Sequence, residues 1–208
     1  MALRLLLLRH AETDWNRERR YQGWTDTGLS DVGRAQAVAV GRFLAHHPLA
    51  AVWSSPLRRA LDTAVAIAAR QDLAVQVDPA FRELSFGEWE GLTVDQVMSR
   101  FPDQYKLWQD APHLVARPGG ETLKEARERV LDGLAALRTA HDGQTVCVVA
   151  HGVTVRILIL EALGLGLERL WSLHASPTGL SELEFRDDWT ALHRMNTLVH
   201  LDELATGR

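Results

Sequence analysis

Arg9 and His10 stand side by side at the end of a short apolar run, and two further segments repeat that pattern of apolar run and then polar cation. Ser54-Ser55-Pro56-Leu57 leads into Arg58-Arg59, and the Thr145–Ala150 run leads into His151-Gly152. A guanidinium is a planar, permanently charged fork that matches phosphoryl oxygens. A neutral imidazole can attack phosphorus as a nucleophile, and nearby arginines lower its pKa and keep it unprotonated. A second imidazole can donate to the phosphoryl oxygens, and the backbone amides of a helix starting near Gly152 favour an anion. Taken singly, each segment has a plainer reading: a strand end meeting solvent, a solvated helix face at Arg58-Arg59, a capping residue at His151. Their recurrence at one topological position points to a site for phosphoryl chemistry. A proton donor for the leaving alcohol is still required. Glu83, in Phe81-Arg82-Glu83-Leu84-Ser85-Phe86-Gly87-Glu88-Trp89-Glu90-Gly91, is the best candidate, with Glu88 and Glu90 as the plainer alternatives in the same stretch.

The elements that must position these groups read as an alternation of strands and helices. Strands are expected over 3–9, 50–54, 73–77 and 145–150, and a late hairpin over 180–185 and 189–195 around Asp187-Asp188. Ser30 is an N-cap for a helix carrying Val32, Ala35, Ala39, Phe43 and Leu44 at helical spacing. Pro56 stands where a first helical turn tolerates it, ahead of an Ala-rich helix over 57–69. Further helices are expected near 93–101 and 103–110, over 121–141, and over 152–163 up to Gly164. The order implies an α/β protein, a three-layer αβα sandwich with a largely parallel sheet. Ligands of such sheets gather at the carboxyl ends of the strands. Residues 79–120, broken by prolines and glycines, read as a lid or side lobe on a single domain spanning 1–208.

The motifs in combination resemble the histidine phosphatase superfamily, the phosphoglycerate mutase-like fold. They are Arg9-His10-Ala11-Glu12-Thr13, Ser55-Pro56-Leu57-Arg58-Arg59-Ala60, Glu83 with Gly87-Glu88-Trp89-Glu90-Gly91, Pro118-Gly119-Gly120-Glu121, and His151-Gly152. They occur in the family's order across nearly the whole chain; Ala11 departs from the commoner Gly. The resemblance implies that His10 is phosphorylated during turnover. It implies that Arg9, Arg59 and His151 form the phosphate pocket and that Glu83 is the general acid and later the base for water. Asn16, Gln22 and Gly23 would line the phosphate or substrate side, and Gly152 would contribute its amide. The implied activity is phosphomonoester hydrolysis through a phosphohistidine, with no cofactor and no metal. On that reading the acidic triplet Glu12, Asp14 and Glu18 is structural or solvated.

Two alternatives are kept. A cofactor-dependent phosphoglycerate mutase usually carries Glu-Arg-His-Tyr-Gly after the acid; here the stretch is Glu83-Leu84-Ser85-Phe86-Gly87. That branch's downstream lysine is replaced near Val94, and its paired arginines have no match in 110–116. Gln22 and the Pro118–Glu121 motif resemble phosphatase members instead, including α-ribazole phosphatases and broad-specificity phosphatases. The second alternative is a non-catalytic phospholigand-binding module, which would have no need of Glu83. Specificity is expected from 79–120, through Phe86, Trp89, Phe101, Tyr105 and Trp108, and from Trp24 and His174. A satellite core under the lid is the competing reading of those aromatics.

At 208 residues, 46% hydrophobic and 24% charged, the composition is that of an ordinary globular domain. A net charge of -4 gives no nucleic-acid footprint, so an anionic substrate needs a locally basic pocket. The first apolar run is too short for a membrane span and lacks a signal-peptide cleavage site. The expected setting is cytoplasmic, with a small phosphorylated metabolite as partner, no nucleic acid, no membrane, and room for a homodimer. The single cysteine, Cys147, sits in an apolar run and reads as core.

Overall fold

In the computed structural model, which describes residues 2–202, a six-stranded sheet is covered by helices on both faces. The elements run β1 (Leu3–Arg9), α1 (Asp14–Arg17), α2 (Asp31–Leu44), β2 (Ala51–Ser54), α3 (Arg58–Ala68), β3 (Val75–Val77), α4 (Val94–Arg100), α5 (Pro102–Asp110), α6 (Leu123–Ala140), β4 (Thr145–Ala150), α7 (Gly152–Ala162), β5 (Leu180–Phe185) and β6 (Thr190–Thr197). Sheet order is β3-β2-β4-β1-β5-β6. The β3, β2, β4 and β1 pairings are parallel, and β5 is antiparallel to both β1 and β6. The largely parallel sheet read from the sequence is therefore present, with its one reversed strand where the late hairpin was expected.

The centre of the sheet explains why β1 and β4 read as continuous apolar runs. Leu3, Leu5 and Leu7 join one core cluster with α6 and α7, while Leu6 and Leu8 join another with α2 and α3. A strand buried on both faces has no polar side to alternate with. Cys147 belongs to the second cluster, and burial raises its thiol to about 12, so it is a core side chain.

Element boundaries differ where local capping decides them. The Ala-rich helix starts at Arg58, so Pro56 lies before the cap. Leu57 occupies the cap position without a side-chain bond. The orphan helical amides are met instead by Ser55 Oγ, which accepts from Leu57 N, and by Asp26 Oδ1, which accepts from Arg58 N at 2.7 Å. The long helix begins at Leu123 because Thr122 and Glu125 form a capping box. The third strand shrinks to Val75–Val77 because only three residues pair with β2. Within 79–120, α4 and α5 were expected; the 3-10 turns Pro79–Phe81, Gly87–Trp89 and Pro112–Leu114 were not.

Candidate active site

Parallel pairing brings the ends of β2, β4 and β1 together in that order. The ladder continues one residue past each strand: His10 N donates to Ala150 O at 2.9 Å, and Ser55 N donates to Val149 O at 3.1 Å. Arg9-His10, Ser54-Ser55 and His151 are thus neighbours by backbone register. Side-chain packing then finishes the arrangement, with the His10 and His151 ring centroids 5.1 Å apart.

His10 is 2% exposed, and its Nδ1 lies 2.7 Å from the carbonyl oxygen of Ala11. A carbonyl can only accept, so Nδ1 carries the proton and the Nε2 lone pair is free. The ring's pKa is held well below the usual 6.5, first by burial and then by Arg59 and Arg9. The expected direction is therefore found, but desolvation outweighs the arginine charges. His151 is fully buried and shifted the same way, chiefly by burial. It stands at the N-cap position of α7 without capping through its side chain; its Nε2 lies 2.8 Å from Ser55 Oγ.

The two arginines are held alike. Arg59 donates to Gly23 O at 2.7 Å and Thr25 O at 2.9 Å, and Arg9 donates to Ala175 O at 2.7 Å. Both Nε atoms are buried and make no hydrogen bond among the described residues. Burial lowers each guanidinium to about 10, which leaves both charged at neutral pH. Arg58, by contrast, is exposed and reaches Asp62 at 3.6 Å.

Glu83 approaches from the 79–120 segment and is 9% exposed. The Val153 amide at the start of α7 donates to both carboxylate oxygens, at 3.1 and 3.3 Å, so that end of the helix is already engaged by Glu83. Glu121 and Arg129 brace the segment: Glu121 accepts from Ser85 N, and Arg129 donates to Ala80 O and Glu83 O. Gly87, at φ +55°, packs so tightly on Pro118-Gly119-Gly120 that a Cβ there would stand 2.1 Å from Pro118 O. The two glycine-bearing motifs are two sides of one contact. Glu88 is exposed, and Glu90 accepts from Trp24 N, Thr25 N and Phe86 N, fixing the loop whose carbonyls hold Arg59.

Arg9, His10, Arg59, Glu83, Asn16, Gln22, Gly23 and Gly152 all line one cavity of about 280 Å³. His151, its ring centroid 5.1 Å from that of His10, is not among the walls. Asn16 also accepts from Thr13 N in the α1 capping box, and Gln22 accepts from Thr27 Oγ1. The 79–120 aromatics divide between the two expected readings. Phe86, Tyr105 and Trp108 line the cavity, but Phe86 and Trp108 are also buried in the same core cluster as Trp89, which packs against Phe101. Trp24 and His174 do not line it; Trp24 Nε1 donates to Glu83 O instead. Trp15, Tyr21, Arg156 and Trp171 line it unexpectedly. Arg156 had a readable signal, a cation one turn into the largely apolar α7, and Ser55 stood inside a quoted motif without a role.

Two buried guanidinium groups with no carboxylate ion pair among the described residues, beside an imidazole with a free lone pair, define an anion-binding site equipped for phosphoryl transfer. The family model described as histidine phosphatase superfamily (branch 1) matches residues 5–198, and the chain belongs to that family. It is 35% identical over 201 residues to phosphoserine phosphatase 1 of Hydrogenobacter thermophilus, covering 97% of this chain and 95% of that one. It is 39% identical over 176 residues to glucosyl-3-phosphoglycerate phosphatase of Mycolicibacterium vanbaalenii, covering 79% and 76% respectively. Among solved structures, YhfR of Bacillus stearothermophilus superposes with a TM-score of 0.91 at 32% identity, covering 96% of this chain and all of that one. No helix among the described residues is long and apolar enough to cross a membrane.

Proposed function

We propose that the protein hydrolyses small phosphomonoesters through a phosphohistidine on His10. The observation that carries this reading is the Nδ1 bond to Ala11 O, which leaves Nε2 free beside the unused Nε donors of Arg9 and Arg59. In the first step the Nε2 lone pair forms an N–P bond while the ester P–O bond breaks, and the leaving oxygen takes a proton from the Glu83 carboxyl. In the second, Glu83 takes a proton from water, the water oxygen bonds to phosphorus, and the N–P electrons return to Nε2. Arg9 and Arg59 stabilise charge on the equatorial oxygens, which is the main task in this chemistry; His151, read from the sequence as a third member of this pocket, supports the site from beside His10, with the ring centroids 5.1 Å apart. Asn16, Gln22, Gly23 and Gly152 complete the walls around the phosphoryl and alcohol portions. Val94 lines the cavity where the mutase branch carries lysine, which supports hydrolysis over transfer back to an intermediate.

The test is His10→Ala assayed with p-nitrophenyl phosphate and by acid-quenched labelling from a phosphorylated substrate. Turnover should fall by at least about 10³-fold and covalent label should vanish. Retained label in that variant rules the assignment out.

A further inference from the structure

The mechanism leaves three arginines of the cavity walls, Arg19, Arg20 and Arg156, without a task. Arg156 projects from α7 one turn after Gly152, is half-buried, and stacks over Trp171 with 5.2 Å from Cζ to the ring centroid. Its Nε donates to Leu173 O at 2.8 Å and its Nη1 to Gly152 O at 3.1 Å. A guanidinium has five N–H donors, so the remainder are free for a ligand. The other extra arginines in the walls differ: Arg20 is paired with Glu18, and Arg19 is exposed at the rim. Arg156 is therefore the ordered, half-buried positive charge not already committed to the phosphoryl group.

Its place fixes what it can meet. Around the point where a Cβ on Gly152 would stand, Arg156 Nη1 lies at 3.4 Å, Glu83 Oε2 at 3.6 Å and Arg9 Nε at 3.7 Å. Glu83 serves the oxygen that leaves, so Arg156 faces the first carbons of the alcohol. Resting on the assignment of the phosphoryl site above, we propose that Arg156 is a specificity residue that binds a carboxylate on the leaving alcohol, within two carbons of the ester oxygen. A single planar fork matches the two oxygens and single charge of a carboxylate. Trp171, Trp108 and Tyr105 form the wall beyond it, where an uncharged remainder of the alcohol fits.

The experiment compares 2-phosphoglycolate with ethyl phosphate, which differ in the carboxylate, on the wild-type protein and on Arg156→Met and Arg156→Lys. The wild type should prefer 2-phosphoglycolate in kcat/KM. Arg156→Met should lower the ratio of the two kcat/KM values by about tenfold to a hundredfold, the size of a lost charge-assisted hydrogen bond. Arg156→Lys should restore part of the ratio. A purely structural role would depress both esters together, leave the ratio unmoved and overturn the proposal. A wild type that hydrolyses p-nitrophenyl phosphate but shows no preference between the two esters overturns it without variants, and leaves the phosphatase reading standing. A wild type inactive on all three removes both.

Discussion

His10 and His151 stand with ring centroids 5.1 Å apart in the field of the same arginines, yet they are held by different kinds of partner. A backbone carbonyl accepts a hydrogen bond from His10 Nδ1–H, whereas the Ser55 hydroxyl, able to donate or accept, meets His151 Nε2. The first arrangement fixes a tautomer, and the second orients a ring while leaving its tautomer adjustable.

Ser55→Ala should therefore lower kcat/KM by roughly tenfold, the cost of one buried side-chain hydrogen bond. The loss would come from a misoriented His151, with His10 still phosphorylated. Steady-state kinetics beside acid-quenched labelling separates the two. Loss of the phosphoenzyme itself would show that Ser55 acts on His10.

Both histidines also set a pH dependence of stability. Their folded pKa values lie well below the unfolded 6.5, so between those values the unfolded chain binds protons that the folded chain refuses. Stability is then complete above about pH 6.5 and falls as the pH drops below it, by up to about 1.4 kcal/mol per pH unit for each histidine. Urea unfolding should show stability falling as the pH drops from about 6.5 to about 5.5, and His10→Ala should make that fall shallower. A flat profile across that window would contradict the burial assigned to both rings.

Glu83→Gln keeps the Val153 contact through its carbonyl oxygen but cannot deliver a proton in the same way. Alkyl phosphates should lose about 10²–10⁴-fold in kcat, the usual range for a general acid. p-Nitrophenyl phosphate should lose much less in the phosphorylation step, because its leaving oxygen needs little protonation. Burst kinetics with the two ester types measures this, and equal losses would count against Glu83 as the acid.

Gly33→Ala tests the packing behind the site. Gly33 lies in the first turn of α2, and a Cβ there would stand 1.9 Å from the Glu12 carbonyl oxygen, two residues beyond His10. Relieving that clash should cost roughly 1–3 kcal/mol. For a chain of this length the melting temperature should fall by roughly 3–10 °C, read by calorimetry. An unchanged melting temperature would mean that α2 and the Glu12 loop separate freely.

Much of this molecule was legible in the chain itself. Runs buried on both faces announce β1 and β4, and the polar residues that end them, Arg9-His10 and His151, mark the sheet edge where ligands gather. Motif order identified the family, and the Ser30 cap was read directly. These features are local: strand burial, capping and residue type are written into a few neighbouring positions. Side-chain partners from distant segments were not legible. That Glu90 would fix the loop holding Arg59, that Asp26 would cap α3, or that Trp108 would belong both to the core with Trp89 and to the cavity wall, depends on contacts spanning tens of residues. Arg156 shows the division most clearly. Residue type and spacing alone assign it no role, and only the packing of Trp171, Leu173 and Gly152 around it decided that it faces the cavity, because direction is set by the neighbours a side chain meets.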